Sequence, residues 1–356
     1  MKILHIIPTL LQGGAEKFTL DLANALSENN KVDLLTLYTT KETETFDTSG
    51  CKFTKRKSRF SSKFWFAFEI LFLIKKGKYD VVHLHLNSIV FCFISILFFS
   101  KVRFVYTCHG DPRKEYKMKK LMLRYLINNN LIRVVAVSQD LMQKLMVLYG
   151  RDNIALIENG CCNLNKDGLS SIKNNEKCKS DKRINFLNIA RLHPIKNQIE
   201  LVKAFGKLPN CYHLTIIGKS GNDNYSDELL EKVENYANVD YLGFKSNVSD
   251  YLYKSDAILI SSLHEGLPIS LLEAMSVGKM VLSTPIDSIV DFINENKCGF
   301  VTNGYKSNDI ALAVSSLSID ILINNRESLI ELFKSKYDIS VCAKKYILIY
   351  ESLLCR

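Results

Sequence analysis

The sequence predicts an α/β protein made of two Rossmann-like, doubly wound parallel-sheet domains, and three observations carry that prediction. Short apolar runs alternate with amphipathic stretches at helical spacing, the alternation occurs twice, and a polar stretch, residues 164–183, separates the two series. At 356 residues the chain is long enough to bury two separate cores.

In the first series, strands are expected at Lys2–Ile7, Lys31–Leu37, Val81–His85, Arg103–Thr107, Val134–Ser138 and Ile154–Glu158. Amphipathic stretches such as Glu16–Glu28 and Tyr116–Asn129 lie between them and supply covering helices. These elements define an N-terminal domain, residues 1–163. From Asn163 to Arg183 the apolar periodicity disappears into a polar, linker-like composition. The second series is expected at Ile184–Ala190, His213–Ile217, Val239–Leu242, Ala257–Ser261, Lys279–Ser283 and Gly299–Val301, within a C-terminal domain 184–338. Residues 339–356 hold a last helix, Val341–Leu354. Open sheets of this kind bind ligands beyond the carboxyl ends of their strands, and two such edges can face one central cleft.

Bulk composition narrows the function. Lysine and arginine number 47 against 37 acidic residues, a formal charge of +10, which suits phosphates or anionic surfaces as partners. The ten cysteines form no C-x-x-C pair and no zinc-finger grouping, so they read as reduced thiols of a cytoplasmic protein. Phe64–Ile74 and Ile89–Phe99 are apolar but well short of the roughly 20 residues of a spanning helix. The basic run Lys55-Arg56-Lys57-Ser58-Arg59-Phe60 leads into Phe64-Trp65-Phe66-Ala67-Phe68, and Lys75-Lys76-Gly77-Lys78 follows. That pattern is expected to touch an anionic membrane peripherally.

The sharpest motif is His264-Glu265-Gly266-Leu267-Pro268-Ile269-Ser270-Leu271-Leu272-Glu273-Ala274-Met275, directly after the expected strand Ala257–Ser261. Pro268 is placed to open a helix, with Ile269, Leu272 and Ser276 on one face, and Gly278 to stop it. Glu265 then lies in the loop before the helix and Glu273 in its second turn, beside first-turn amides able to bind an anion. Leu11-Gln12-Gly13-Gly14-Ala15-Glu16 follows the first strand and opens another helix, where paired glycines let a ligand approach the backbone. Ala190-Arg191-Leu192-His193-Pro194-Ile195-Lys196-Asn197 puts two cations at a strand end. Thr107-Cys108-His109-Gly110 ends another strand, as do His83 and His85. Ser138 reads as a helix N-cap.

The context E-G-L-P-x-x-L-L-E-A-M, two glutamates separated by seven residues, resembles the signature of the retaining glycosyltransferases of family 4, and the resemblance extends over nearly the whole chain. It implies the GT-B fold, with the last helix crossing back to the N-terminal domain. It implies that Glu265 contacts the donor sugar near its reacting carbon and that Glu273 holds the ribose. Gly266, Leu267 and Leu272 would line the donor site. Arg191 and Lys196, matching R-x-x-x-x-K, would neutralise the diphosphate, and Gly218 would border the base. Gly14 would serve the donor diphosphate, with Gly13 and His85 on the acceptor side of the cleft. His109, in T-x-H-G, would join Glu265 in the catalytic group through a contact to the donor sugar. The family often has a glycine-rich turn before a glutamate where this chain reads Thr284-Pro285-Ile286-Asp287-Ser288. No D-x-D triplet occurs, so no metal and no cofactor are expected beyond a nucleotide-diphosphate sugar as co-substrate. The expected acceptor is a carbohydrate, free or linked to a polyprenyl diphosphate, in bacterial surface-polysaccharide assembly, and a uridine donor is favoured. A nucleotide-sugar 2-epimerase of the same fold would release a free sugar and need no acceptor, and E-x7-E argues against it. A nucleic-acid binder would draw on the basic charge, but the basic residues are dispersed and no nucleic-acid motif is present. A nicotinamide dehydrogenase lacks its fingerprint here.

Overall fold

The structure is a computed structural model that describes all residues except 12, 39–47, 49–51, 58–62, 152, 166–182 and 356, with only the backbone of Lys57, Lys63 and Phe64. Most of the expected linker and the 58–60 part of the basic run therefore lie outside the described residues. The chain divides into two compact units, Met1–Cys161 with Ile339–Arg356, and Cys162–Asp338.

In unit 1 the described residues form one parallel sheet of β1 (Lys2–Ile7), β2 (Lys31–Thr36), β3 (Thr54–Lys57), β4 (Val81–His85), β5 (Arg103–Cys108), β6 (Arg133–Ala136) and β7 (Ile154–Leu156). The strand order is β3-β2-β1-β4-β5-β6-β7. Its helices are α1 (Gly14–Leu26), α2 (Lys63–Gly77), α3 (Ser88–Phe98), α4 (Lys117–Asn128) and α5 (Gln139–Tyr149), the last capped by Ser138 as expected. Helices on both faces explain why β1, β4 and β5 are buried almost end to end. Register sets His5 beside His83, and His85 beside Thr107.

Strand β3 was invisible in the sequence because Thr54-Lys55-Arg56-Lys57 has no apolar residue. It pairs with β2 at the sheet edge, where Arg56 Nε donates to Asp33 at 2.9 Å, and a charged edge resists pairing with other chains. Lys55, Arg56 and Lys57 of the basic run thus lie on an edge strand that finishes the sheet.

Unit 2 is built likewise from β8 (Ile184–Ile189), β9 (Tyr212–Ile217), β10 (Val239–Tyr241), β11 (Ala257–Ile260), β12 (Met280–Ser283) and β13 (Gly299–Val301), in the order β10-β9-β8-β11-β12-β13. Its helices are α6 (Gln198–Phe205), α7 (Asn224–Glu234), α8 (Val248–Lys254), α9 (Ile269–Ser276), α10 (Asp287–Asn296), α11 (Ser307–Ser315), α12 (Ile319–Ile323) and α13 (Arg326–Leu332). The last helix, α14 (Ile339–Leu354), belongs to unit 1, where it packs on α1 and buries Tyr346 and Tyr350 completely.

Both sheets reverse direction of growth at one place, between β1 and β4 in unit 1 and between β8 and β11 in unit 2. Such a switch point opens a crevice at the carboxyl ends of the two strands. Gly13 and Gly14 follow β1, and His85 ends β4. Arg191 follows β8, and Glu265 follows β11.

Candidate active site

In unit 2 the loop after β11 is held from three sides. Ser262 Oγ donates to Glu265 Oε1 at 2.8 Å, and the Lys196 ammonium pairs with the same oxygen. Ser261 Oγ donates to the Lys196 carbonyl at 2.7 Å and the Leu263 amide to the Ile195 carbonyl at 2.8 Å, so the two loops are stitched together. From α10, Ser288 Oγ lies 3.0 Å from the carbonyls of both Glu265 and Gly266. Thr284 Oγ1 donates to the Ser262 carbonyl at 2.7 Å. Four hydroxyls thus aim one carboxylate, and sequence reasoning had found none of them. The signal available was the serine and threonine content at the ends of β11 and β12, including the segment that departs from the family pattern.

The Arg191 guanidinium is exposed and makes no ion pair among the described residues. Together with partial burial, its charge pushes His193 below the usual imidazole value. Gly218 lets the loops after β8 and β9 touch. Its φ is +157°, and a Cβ there would stand 1.9 Å from the Ala190 carbonyl oxygen. Glu273 sits in the second turn of α9 and is largely buried. Leu267 and Leu272 are buried in the core, so their side chains are not presented to a ligand. Pro268 caps α9 and does not open it. The helix has no single apolar face, because α13 and the segment Phe333–Tyr337 also pack on it and seven of its residues are buried.

In unit 1, Gly13 is the N-cap of α1, and a Cβ there would meet Glu16 Oε2 at 2.3 Å. Gly14 is exposed at the first turn, where backbone amides lack helical acceptors. His85 is buried and joined to two other histidines: His5 Nδ1 lies 3.0 Å from His85 Nε2, and His85 Nδ1 lies 3.2 Å from His109 Nε2. His83 is held separately, 2.7 Å from both Tyr350 OH and Thr107 Oγ1. Burial pushes His5 and His109 down to about 3, and burial with neighbouring histidines lowers His83 and His85 as well. All four are neutral imidazoles near pH 7. His5, His83 and His85 come nearest to a metal-ligand set among the described residues, their ligand atoms lying within 4.8 Å of one another. Every ring nitrogen of His83 and His85 is already in a hydrogen bond.

Beside His109 lies a cavity of about 690 Å³ lined by Leu86, Asn87, Phe91, Tyr106, Glu115 and Lys119, among others. Leu86, at φ +55°, turns the chain out of β4. Lys119 is 1% exposed and donates to Asn87 Oδ1 and Glu115 Oε1, both at 2.7 Å. A lysine on an amphipathic helix reads as solvated, which is why sequence reasoning passed over it.

A family profile described as glycosyl transferases group 1 matches residues 171–334, and one described as glycosyltransferase family 4 matches residues 12–161, most of the chain between them. The chain belongs to this glycosyltransferase family. The enzyme's fold is GT-B. It superposes on Anabaena HepE, solved with UDP and glucose, with a TM-score of 0.81 at 18% identity, over 99% of this chain and 100% of that one. A protein from the cps region of Klebsiella pneumoniae is 24% identical over 373 residues, 99% of this chain and 100% of its own. A Campylobacter jejuni alpha-1,4-N-acetyl-D-galactosaminyltransferase, whose named substrate is a PP-undecaprenol glycan, is 25% identical over 335 residues, 88% of this chain and 87% of its own.

Proposed function

We propose that the enzyme is a retaining, metal-independent glycosyltransferase. It moves a hexosyl or N-acetylhexosaminyl residue from a nucleotide-diphosphate donor, with uridine the favoured base, to a carbohydrate or polyprenyl-diphosphate-linked acceptor of a bacterial surface polysaccharide. The observation that carries this reading is Glu265, aimed by Ser262 and Lys196 at the carboxyl end of β11. In this reading Glu265 meets the donor sugar and Glu273 the ribose, Gly218 borders the base, and Arg191 with Lys196 meets the diphosphate. The bond from the anomeric carbon to the phosphate oxygen breaks with its electron pair leaving on the diphosphate. The acceptor oxygen bonds to the same face of that carbon, and its proton passes to the leaving phosphate oxygen. Cations on the leaving group stabilise the charge that grows there. In unit 1, Gly13, Gly14, His85 and His109 serve the acceptor side and the sugar. The cavity lined by Phe91, Tyr106 and the Lys119–Glu115 pair suits a pyranose with an apolar face and hydroxyl groups.

Among the described residues no helix is long and apolar enough to cross a membrane. Unit 1 instead exposes Trp65, Phe68 and Phe72 on α2 and Ile94, Leu97 and Phe98 on α3, two helices packed side by side with Lys75, Lys76 and Lys101 exposed around them. Aromatic rings with a basic rim match an anionic bilayer surface, where lipid-linked acceptors are held, and this supports peripheral attachment at the cytoplasmic face.

The test is a panel of UDP-, GDP-, ADP- and dTDP-sugars, with and without chelator, on wild type, Glu273→Ala and Arg191→Ala. Selection of one nucleotide sugar, indifferent to chelator and lost in both variants, is the expected result. Inversion at the anomeric carbon of the product sinks the mechanism, and no binding by any member sinks the donor site. Binding to phosphatidylglycerol vesicles, reduced in Phe72→Asp/Phe98→Asp, tests the membrane face independently.

A further inference from the structure

His5, His85 and His109 form an unbranched line of hydrogen-bonded rings that starts in the middle of β1 and ends after β5. Each neutral imidazole has one N–H and one bare nitrogen, so the line can run in only two directions. In one, His109 Nε2–H donates to His85 Nδ1 and His85 Nε2–H donates to His5 Nδ1. The His5 proton must then sit on Nε2, a buried nitrogen with no hydrogen-bond partner among the described residues. A donor orphaned in a core is the arrangement folded proteins avoid most strongly. In the other direction all three protons sit on Nδ1. His5 then donates to His85, His85 donates to His109, and His5 keeps only a bare nitrogen in the core. The His109 Nδ1–H is the free end of the line, with no acceptor among the described residues.

We propose that His5 and His85 are positioning residues that set the tautomer of His109, holding its proton on Nδ1 so that the ring offers a hydrogen-bond donor to an oxygen of the bound nucleotide sugar. The use of that donor rests on the reading of His109 as a donor-sugar contact, whereas the tautomer does not. Packing supports the assignment. The His85 and His109 rings stack at 5.5 Å with 29° between their planes, and Phe18 meets the His109 ring edge-on at 5.5 Å, so the ring cannot turn to exchange its two nitrogens without displacing both. His83 lies 4.2 Å from His85, centroid to centroid, yet its nitrogens are given to Tyr350 and Thr107, which leaves it outside the line.

The deciding experiment is two-bond 1H–15N correlation on the full chain labelled with 15N-histidine, the seven histidines being assigned by single substitution. In wild type, His109 is expected to show a protonated Nδ1 and a bare Nε2, the reverse of what a free neutral imidazole favours. His5→Asp, which presents an acceptor in place of a donor to His85 Nε2, should reverse the line and move the His109 proton to Nε2, and His83→Gln should not. Turnover of the selected nucleotide sugar in His5→Asp should fall by a few-fold to about ten-fold at unchanged KM, the effect of one hydrogen bond. A wild-type His109 protonated at Nε2 overturns the proposal, and that spectrum decides even if His5→Asp does not fold. An equal shift in His83→Gln overturns it too. So does one equivalent of metal bound by purified protein, with perturbed resonances of His5, His83 and His85.

Discussion

Lowering the solution from about pH 7.5 to about pH 5 protonates histidines in an unfolded chain but not those sealed in unit 1. His5 falls from an ordinary 6.5 to about 3 because it is fully buried. Below 6.5 the unfolded chain therefore takes up a proton that the folded one refuses. The contribution to stability is complete above pH 6.5 and declines as pH falls towards 3. At about pH 5 the gap is about 1.5 pH units, or about 2 kcal/mol for His5 alone. His83 and His85 are shifted in the same direction by burial and by one another. The groups facing the cluster from α1, β5 and α14 are Phe18, Thr107, Tyr346 and Tyr350, and burial holds both tyrosines protonated, so none of these supplies a negative charge. Three such histidines cost several kcal/mol against a typical total of about 5–15 kcal/mol. Trp65, the sole tryptophan, lies on α2 of unit 1 and reports on that unit in urea unfolding. Its midpoint should fall steeply over this range, and His83→Gln should flatten the fall by about one proton, about 1.4 kcal/mol per pH unit. A midpoint that stays level between about pH 7.5 and about pH 5 would refute the reasoning, because it would mean that the cluster accepts protons in place.

Three further outcomes follow from single contacts. Ser288→Ala removes the hydroxyl that holds the Glu265 and Gly266 carbonyls, and steady-state kinetics should show kcat reduced about ten-fold with little change in donor KM. Gly218→Ala sets a methyl 1.9 Å from the Ala190 carbonyl, and thermal unfolding should register a loss of about 2–4 kcal/mol, with nucleotide affinity lost alongside. Lys279 is pushed from 10.5 down to about 8 by burial, so the unfolded chain binds the extra proton between those values and stability should rise by about 3 kcal/mol as pH climbs through them. Lys279→Met should abolish that rise in urea titrations, and a rise that persists would remove Lys279 as its source.

The strands were legible wherever both faces are covered, because a buried parallel strand is an unbroken apolar run, as in Ala257-Ile258-Leu259-Ile260. The same rule hid β3, whose Thr-Lys-Arg-Lys needs only an ion pair to Asp33 and one neighbouring strand. Helix α9 was found from its proline and glycine punctuation, but its environment was not, since a helix packed on several sides shows no periodic face. Glu265, Lys196, Arg191, Gly218 and His109 could be named from local pattern. That Lys196 pairs with Glu265, and that Ser288 fixes the loop, depends on residues 69 and 23 positions apart. No local pattern records such distances. His5 was missed for the same reason: one polar residue in a strand core has no meaning until register sets it beside His83 and within reach of His85.

The pairing of Lys196 with Glu265 bears on how a donor would enter. Both side chains retain about a fifth of their exposure, 20% and 17%, and an ion pair open to water on that scale holds with about 1 kcal/mol or less. A diphosphate brings more negative charge than one carboxylate, and Arg191, with no ion pair among the described residues, stands on the same loop to share it. Lys196 would then turn from Glu265 to the phosphates. Glu265 would keep the Ser262 hydroxyl as its remaining support and become free to accept from a sugar hydroxyl. On the proposed function, the carboxylate would be paired while the site is empty and would become an acceptor only once the diphosphate had drawn the lysine away. On this argument Lys196→Met leaves Glu265 uncompensated before binding as well as the phosphates after it, so its loss should be larger in kcat/KM than in kcat.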